Sequence, residues 1–301
     1  MATIKIACWN IYYSNRLVKG NAINSNPTQK KRAGSVADII EDLDPDILGI
    51  VECMPKKSLN VFLKAYDIDY YEPLVEGNRK EHNVGLLYWP ASVKVEKLSF
   101  SGAKWTDQVG DDKSPRKYAF SRKPLIAKVT PTSGSKNPFL IAVVHQKSKK
   151  TYTPDEKEPY NNRKKIIAQG RRLRTILLGM LKNKVADRFI IMGDINDGPG
   201  FDQYEKSLVE SGVEAHLGTV LVPETTLHSF TDLSKGGIPT HPFKPAAQID
   251  HILYPHNVAH GSTKVKVRKN SGRVRSDLVS IKKNGRNRDS DHCPIEVTLI
   301  V

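Results

Sequence analysis

Short apolar runs that each adjoin a polar residue recur along this chain, and no other feature constrains the fold as strongly. Each run is bounded by Gly, Pro or polar residues, as expected of a buried or half-buried strand. The polar residues that adjoin the six runs are Asn10, Glu52, His145, Asp194, Asp250 and the pair Asp291–His292. Because these positions span most of the chain, a site built from all of them requires one domain over residues 1–301.

Amphipathic segments lie between the strand-like runs. Apolar residues at helical spacing predict helices over about 28–43 and 162–183, and a weaker pattern predicts a third over 201–209. Further strand-type stretches lie at 84–88, 93–100, 119–130 and 263–267. Many strands with few helices predict an α/β (α+β) protein in which two stacked sheets are flanked by helices.

The charge balance indicates a polyanionic partner. The 301 residues carry 47 Lys and Arg against 32 Asp and Glu, a formal net charge of +15. Such a surplus favours nucleic acid first and an anionic membrane surface second. The longest apolar runs, such as 139–144, reach six residues, whereas about 20 are needed to cross a bilayer.

Cysteine usage and the first residues bear on the compartment. Cys8, Cys53 and Cys293 stand in apolar surroundings, and we expect buried thiols rather than a disulfide framework. Residues 1–5 show no basic and apolar leader. We therefore expect a cytoplasmic protein without a transmembrane segment.

Four of the strand-end residues are carboxylates: Glu52, Asp194, Asp250 and Asp291. If they converge, each pair about 5 Å apart repels by roughly 3 kcal/mol at an effective dielectric near 20. A hard divalent cation relieves this repulsion, and Mg²⁺ is the usual choice where phosphate supplies further ligands. The sequence shows no Cys/His cluster at zinc spacing, which argues against zinc. Taken alone, each residue also has a structural interpretation: a rim Glu, a satisfied His, or an ordinary Asp-Gly-Pro turn.

Six motifs in sequence order resemble one known family, the endonuclease/exonuclease/phosphatase superfamily of deoxyribonuclease-like proteins. The motifs are Cys8-Trp9-Asn10, Pro45-Asp46-Ile47-Leu48 through Glu52, His145-x-Lys147-Ser148, Gly193-Asp194-x-Asn196-Asp197, Ile249-Asp250-x-Ile252-Leu253 and Ser290-Asp291-His292. The resemblance implies a four-layer α/β/β/α sandwich with two packed mixed sheets. It also implies a phosphodiesterase or phosphatase that uses Mg²⁺, for which Mn²⁺ can substitute.

The resemblance also implies a role for each matching position. Asn10, Glu52 and Asp291 would hold the metal. Asp194 and Asn196 would position the attacking water and the phosphate. His292, oriented by Asp250, and His145 would handle protons and transition-state charge, which fits an imidazole near neutral pH.

Substrate-binding candidates follow from two local resemblances. Residues 120–124, Phe-Ser-Arg-Lys-Pro, resemble the deoxyribonuclease segment in which an Arg grips a backbone phosphate, so Arg122 is the candidate. His145-Gln-Lys-Ser-Lys, followed by Arg163, is similar to bacterial non-specific nucleases, which adds Lys147, Ser148 and Arg163. Two basic stretches, 147–174 and 264–288, flank catalytic elements, and a Pro/Thr/His-rich segment at 223–245 is interpreted as a lip over the cleft.

The leading hypothesis is a Mg²⁺-dependent nuclease that hydrolyses DNA, or also RNA, with little sequence preference. The chain departs from inositol-polyphosphate phosphatases at Asp197 and 248–251, and from apurinic-site repair endonucleases at His145. The alternatives are a phosphoesterase for phosphoinositide or sphingomyelin-type lipids, a repair endonuclease of the apurinic-site type, and a catalytically idle nucleic-acid-binding module. The biological role, including any inhibitor or regulator, stays open.

Overall fold

The computed structural model describes residues 2–77, 82–150, 157–198, 205–208, 210–217, 227–229, 249–255, 265–268, 271–279 and 289–301. The strands, in chain order, are β1 (Thr3–Asn10), β2 (Val18–Lys19), β3 (Ala22–Ile23), β4 (Ile47–Cys53), β5 (Glu72–Glu76), β6 (Asn83–Tyr88), β7 (Val93–Leu98), β8 (Lys104–Asp107), β9 (Arg116–Ala119), β10 (Leu125–Pro131), β11 (Phe139–His145), β12 (Phe189–Asp194), β13 (Leu227–Ser229), β14 (Asp250–Pro255), β15 (Lys266–Val267), β16 (Arg273–Val274) and β17 (Ile295–Ile300). The helices are α1 (Pro27–Leu43), α2 (Lys56–Ala65), α3 (Glu158–Lys182), α4 (Glu205–Leu208) and α5 (Gly212–Leu217).

Two mixed sheets form the centre of the molecule. The first has the order β15-β17-β1-β4-β6-β5, with β16 also paired to β17, and the second has the order β13-β14-β12-β11-β10-β7. Each sheet contains one parallel pair, β1 with β4 and β11 with β12. Parallel neighbours need a crossover connection, and the crossovers here contain α1 and α3.

Three apolar clusters define four layers. Ile6 of β1 packs with Ile141 of β11 and Ile190 of β12 between the two sheets. On the outer face of the first sheet, Leu48 packs with Ile40 of α1. On the outer face of the second, Ile191 packs with Leu173 of α3. The order helix, sheet, sheet, helix confirms the predicted α/β/β/α sandwich.

Strand alternation explains how this core leads to polar positions. Cys8, Val143, Met192 and Ile252 all lie in the apolar layer between the sheets. Because side chains two residues apart share a face of a strand, the inner face continues to Asn10, His145, Asp194 and Asp250. The period-2 pattern that builds the core therefore also brings these four polar side chains to one end of it.

The structure confirms two of the predicted helices and corrects two other predicted elements. The helices over about 28–43 and 162–183 are confirmed as Pro27–Leu43 and Glu158–Lys182. The strand predicted over 119–130 was wrong, because the chain leaves the β8–β9 hairpin at Ala119 and enters the second sheet at Leu125. Pro124 lies in the break, where it has no N–H to donate to a ladder. In 201–209 the described helix is only Glu205–Leu208.

Parts of three other predictions lie outside the described residues. Of the lip at 223–245, the structure describes only 227–229, the strand β13. Of the stretch 263–267 it describes 265–267, and β15 lies there. Much of the basic segment 264–288 is also outside the described ranges.

Candidate active site

Three neighbouring strands of the second sheet place their polar residues side by side. The register pairs His145 with Asp194 across β11 and β12, and Asp194 with Asp250 across β12 and β14. Directly paired residues project to the same face of a sheet. Gly193 is needed here: its φ is +141°, and a Cβ would collide with the carbonyl of Val144. This close approach gives a physical reason for glycine in the Gly-Asp motif.

Glu52 reaches the site through a backbone irregularity. Leu48 and Ile50 face α1 and α2, so regular alternation would direct Glu52 toward the helices as well. The register of β4 against β6 instead shifts between Val51 and Cys53, and Glu52 has a φ of +55°. A left-handed conformation at a non-glycine residue costs about 1–2 kcal/mol. The bulge turns Glu52 away from the helix side, and its Oε2 accepts a hydrogen bond from Tyr13 N at 2.8 Å.

The Asp250–His292 pair is a close contact of the site. His292 Nδ1 lies 2.6 Å from Asp250 Oδ2, and both side chains are buried. Trp9 Nε1 donates to the carbonyl of His292 at 2.9 Å, and Ser290 Oγ accepts from His292 N at 3.1 Å. These bonds fix the ring in one orientation, with Nε2 toward Asn10 Nδ2 at 3.4 Å.

Charge keeps this imidazole protonated. Burial alone would lower the pKa of His292, but the carboxylates of Asp250, Asp194 and Asp291 outweigh it and raise the pKa to about 10. The sequence predicted a proton carrier near neutral pH. At a pKa of about 10 the ring carries its proton at neutral pH, because several carboxylates surround it, and its role in proton transfer stays a prediction.

Asp194 is held between two donors. Its Oδ1 accepts from Asn196 N at 2.8 Å, and its Oδ2 accepts from Asn10 Nδ2 at 3.0 Å. Burial, with the charge of Asp250 added, raises the pKa of Asp194 to about 7. Asn196 has a φ of +57° and donates its Nδ2 to Gln146 O at 3.3 Å. Asp194 is therefore oriented, and can exchange a proton near neutrality.

His145 is kept neutral. Burial, together with the charges of Arg122, His82 and His292, lowers the pKa of His145 well below its ordinary value. Its Nε2 lies 3.7 Å from Asp194 Oδ2, which is too long for a hydrogen bond. Its Nδ1 is buried and has no hydrogen-bond partner among the described residues.

Sequence reasoning missed His82. Its ring lies 5.9 Å from that of His145, measured between centroids, and its Nδ1 lies 3.6 Å from Glu52 Oε1. Burial would raise the pKa of Glu52, but the nearby His82 imidazole and the hydrogen bond from Tyr13 N outweigh it and lower the pKa. No strand-end pattern could have identified His82, which has a φ of +61° and precedes its strand.

The donor set fits a hard divalent cation. Asn10 Oδ1 is buried and accepts no hydrogen bond from the described residues, although its Nδ2 is engaged. Amide and carboxylate oxygens are the ligands that Mg²⁺ prefers, and the set predicted from sequence offers Asn10, Glu52 and Asp291. Ligand atoms of Asp194, Asp250 and His292 also lie within 4.8 Å of one another, as do those of Glu52, His82 and His145.

The predicted substrate-binding residues fall into two groups. Arg122 and Lys147 lie beside the site: Arg122 donates to Gln146 O at 2.8 Å, and Lys147 N donates to Gln169 Oε1 at 3.3 Å. Burial, with the charges of Lys165 and Arg122, lowers the pKa of Lys147.

The other two candidates, Ser148 and Arg163, form hydrogen bonds with nearby backbone groups. Ser148 Oγ accepts from Lys150 N at 3.1 Å. Arg163 donates to the carbonyls of Lys149 and Pro159 at 3.2 and 3.1 Å. These contacts hold the segment after β11 against α3, and the phosphate contacts of Ser148 and Arg163 stay predictions.

Arg32 of α1 is a further residue that sequence reasoning missed. It donates Nε to Asp289 O at 2.9 Å and another nitrogen to Tyr12 O. Burial lowers the pKa of Arg32 to about 10, against the charges of Asp289, Asp291 and Glu52. Arg32 thus joins the loop after β1 to the loop that contains Asp291. Arg32 follows two lysines in α1, and nothing in the sequence distinguishes it from them.

Fold and site together are those of a metal-dependent hydrolase that acts on phosphoester bonds. The chain belongs to the endonuclease/exonuclease/phosphatase family, whose sequence pattern matches residues 7–292. This confirms the resemblance carried by the six motifs. No curated protein matches the sequence significantly.

Solved structures of the same fold cover nearly the whole chain. TDP2 of D. rerio, complexed with single strand DNA product, is 14% identical over 100% of both chains, with a TM-score of 0.58. The mannosyl-6-phosphatase Bt3783 of Bacteroides thetaiotaomicron is 16% identical over 99% of this chain and 100% of that chain, with a TM-score of 0.59. At such identities the likeness establishes the fold alone.

Two expectations about the chain as a whole can be compared with the structure. Among the described helices, none combines the length and the apolar character that a bilayer crossing requires. Cys8, Cys53 and Cys293 are buried and form no disulfide. Burial raises the pKa of Cys53 to about 12, and burial with the charge of Asp250 does the same for Cys293, so these thiols are unreactive near neutral pH.

Proposed function

We propose that this protein is a Mg²⁺-dependent nuclease that hydrolyses phosphodiester bonds of DNA with little sequence preference. The observation that carries the proposal is the buried Asp250–His292 pair beside Asp194, at an end of the sandwich where the inner faces of both sheets become polar. The surplus of positive charge supports a polyanionic substrate. We propose further that residues 1–301 act as one catalytic domain in the cytoplasm.

Each residue can be given one task. The His292 imidazolium, held by Asp250, would donate to a non-bridging phosphate oxygen and stabilise the charge that develops there. Asp194 would orient the attacking water and accept its proton, since its pKa of about 7 suits that exchange. Asn196 would donate to the phosphate, and neutral His145 would assist Asp194.

The metal has a defined place in this proposal. Asn10, Glu52 and Asp291 would hold it. When bound, Mg²⁺ supplies Lewis-acid polarisation of a phosphate oxygen. Arg122 and Lys147 would hold the flanking phosphates of the strand, with Ser148 and Arg163 supporting the loop between them.

The test is cleavage of supercoiled plasmid by the purified protein. We expect nicking with Mg²⁺ and none with EDTA. Asp194→Asn and His292→Ala should each lower the rate by at least about 10²-fold, the scale of a lost proton-transfer or charge-stabilising group. Asp42→Asn, an exposed carboxylate on α1, is the matched control and should cleave normally.

The same assay separates the competing functions. Intact plasmid with every divalent metal, alongside turnover of phosphoinositide, sphingomyelin or a sugar phosphate, would replace a nuclease by another phosphoesterase. Cleavage confined to plasmid that carries apurinic sites would indicate a repair endonuclease. Binding of DNA without any turnover would leave a nucleic-acid-binding module.

A further inference from the structure

The hairpin of β8 and β9 and the first turns of α3 line an open cavity that the catalytic arrangement does not use. Its volume is about 720 Å³, and its lining includes Lys104, Trp105, Lys117, Tyr118 and Lys165. This volume lies within the range of ligand pockets, about 300–1,000 Å³. The cavity is therefore large enough to hold a ligand.

The lining is cationic. No carboxylate is among its lining residues within the described ranges. Two of its cations are paired with carboxylates. Lys164 Nζ lies 2.6 Å from both Asp111 and Asp112, and Arg116 Nε lies 3.0 Å from Asp112. No ion pair engages Lys104, Lys117 or Lys165 among the described residues, so the cavity presents net positive charge.

Two aromatic residues, Trp105 and Tyr118, are among the residues that line the same cavity. The rings of Trp105 and Tyr118 stack at an interplanar angle of 24° with centroids 6.3 Å apart. Trp105 is half-buried, and its indole Nε1 is buried without a hydrogen-bond acceptor among the described residues. Aromatic faces beside phosphate-binding cations are how proteins hold single-stranded nucleic acid, at about 1–3 kcal/mol per stacked base.

The cavity is connected to the active site through α3. Gln169 Nε2 donates to Ala119 O at the end of β9 at 3.0 Å. Its Oε1 accepts from Lys147 N, two residues beyond His145. Between them, Lys165 is close enough to Arg122 and to Lys147 for their charges to interact. Cations thus continue from the cavity to the catalytic end of the sheets.

We propose that this cavity, which we call the hairpin groove, binds a single-stranded segment of the substrate next to the cleaved bond. Lys104, Lys117 and Lys165 hold phosphates, and Trp105 stacks on an unpaired base. The inference rests on the proposed nuclease function and adds a preference for unpaired strands. In a duplex the bases stack on each other, so Trp105 has no free base face to contact.

The first experiment measures binding without cleavage. The full chain is titrated in EDTA against a fluorescein-labelled oligothymidylate of about 15 nucleotides. Lys104→Ala/Lys117→Ala should raise the Kd about tenfold and reduce the slope of log K against log salt by about 1.4, for two lost phosphate contacts on a single strand. Lys94→Ala/Lys182→Ala, which removes two exposed lysines at the other end of the second sheet, should change neither value.

The second measurement tests stacking. In Trp89→Phe protein the remaining indoles are those of the buried Trp9 and the half-buried Trp105, so we expect the oligonucleotide to quench the emission of Trp105. Trp105→Phe should remove this quenching and weaken binding of the single strand more than binding of a duplex of equal length. Equal weakening of both would remove base stacking from the proposal.

The outcomes separate this inference from the function on which it rests. If Lys104→Ala/Lys117→Ala binds the oligonucleotide with the Kd and salt slope of the Lys94/Lys182 control, the hairpin groove is not on the path of the strand, whatever the enzyme cleaves. If the groove variants lose binding as expected but wild-type protein with Mg²⁺ cleaves no nucleic acid, the groove stands and the nuclease proposal fails.

Discussion

Two buried aspartates three residues apart show what distinguishes a reactive site from a structural one. Burial raises the pKa of Asp194 and of Asp197 to about 7, although a charge on Lys149 opposes the rise at Asp197. Asp194 is the last residue of β12 and Asp197 follows in the segment after it, and both are nearly inaccessible to solvent. Burial and a shifted pKa therefore do not separate them.

Their partners do. Lys149 and the N–H groups of Gly198 and Gly212 bind the carboxylate of Asp197, and His251 Nε2 lies 2.8 Å from its carbonyl. These contacts join the segment after β12 to α5 and β14. Around Asp194, in contrast, Asn10 Oδ1 and His145 Nδ1 have no partner among the described residues. Buried polar groups are normally satisfied, so this unused bonding capacity points to a ligand.

Substituting each aspartate is the strongest way to break the comparison. Asp194→Asn should lower the plasmid-cleavage rate by at least about 10²-fold with little change in stability. Asp197→Asn should instead lower the free energy of unfolding by about 2 kcal/mol, because an amide has one oxygen for the two N–H groups of Gly198 and Gly212 and leaves one buried donor unsatisfied. Urea denaturation and the cleavage rate per folded molecule check both. A catalytic loss in Asp197→Asn at full stability would contradict the distinction.

The pKa values of one histidine in each region are shifted in opposite directions. Three carboxylates raise the pKa of His292, whereas burial lowers the pKa of His216 to about 4. His216 Nδ1 lies 2.7 Å from Gly212 O and its Nε2 lies 2.9 Å from Gln146 Nε2. One ring nitrogen therefore donates and the other accepts, and protonation would remove the acceptor.

The lowered pKa of His216 should make the free energy of unfolding depend on pH. Below its ordinary pKa of about 6.5, His216 takes up a proton in the unfolded chain but not in the folded one, so stability falls as pH falls from 6.5 toward 4. Between pH 7 and pH 5 we expect wild type to lose about 2 kcal/mol more than His216→Gln. Denaturation at both pH values measures the difference, and parallel losses in the two proteins would show that His216 does not titrate in this range.

The smallest predicted effect concerns backbone strain at Glu52. Its positive φ suits glycine, so Glu52→Gly should be about 1 kcal/mol more stable than Glu52→Ala. Both variants should lose Mg²⁺-dependent cleavage. Equal stabilities would mean that the bulge relaxes once the carboxylate is gone.

Most of the fold and much of the site could be predicted from sequence, because one periodicity controls both. The alternation that buries Val143 and Met192 also determines where His145 and Asp194 project. The prediction failed where alternation does not apply. The single strand predicted over 119–130 is interrupted between Ala119, where β9 ends, and Leu125, where β10 begins, and Glu52 reaches the site through a bulge.

His82 and Arg32 show the other limit. His82 lies just before β6 and Arg32 lies on α1. Both reach the site through tertiary contacts that no local sequence pattern indicates. Likewise, the sequence shows a basic stretch over 147–174, but only the structure shows that carboxylates neutralise Lys149, Lys164 and Arg171. The number of cations available to a substrate could not be counted from the sequence.

The most direct test of the central claim, that these residues form one catalytic unit, is the plasmid-cleavage rate of the Asp194→Asn/His292→Ala double variant. Residues that act as a unit lose their effect together. The double variant should therefore cleave within about tenfold of the slower single variant. If the two losses of rate multiply instead, or if either single variant cleaves at the wild-type rate, Asp194 and His292 do not act as one catalytic unit.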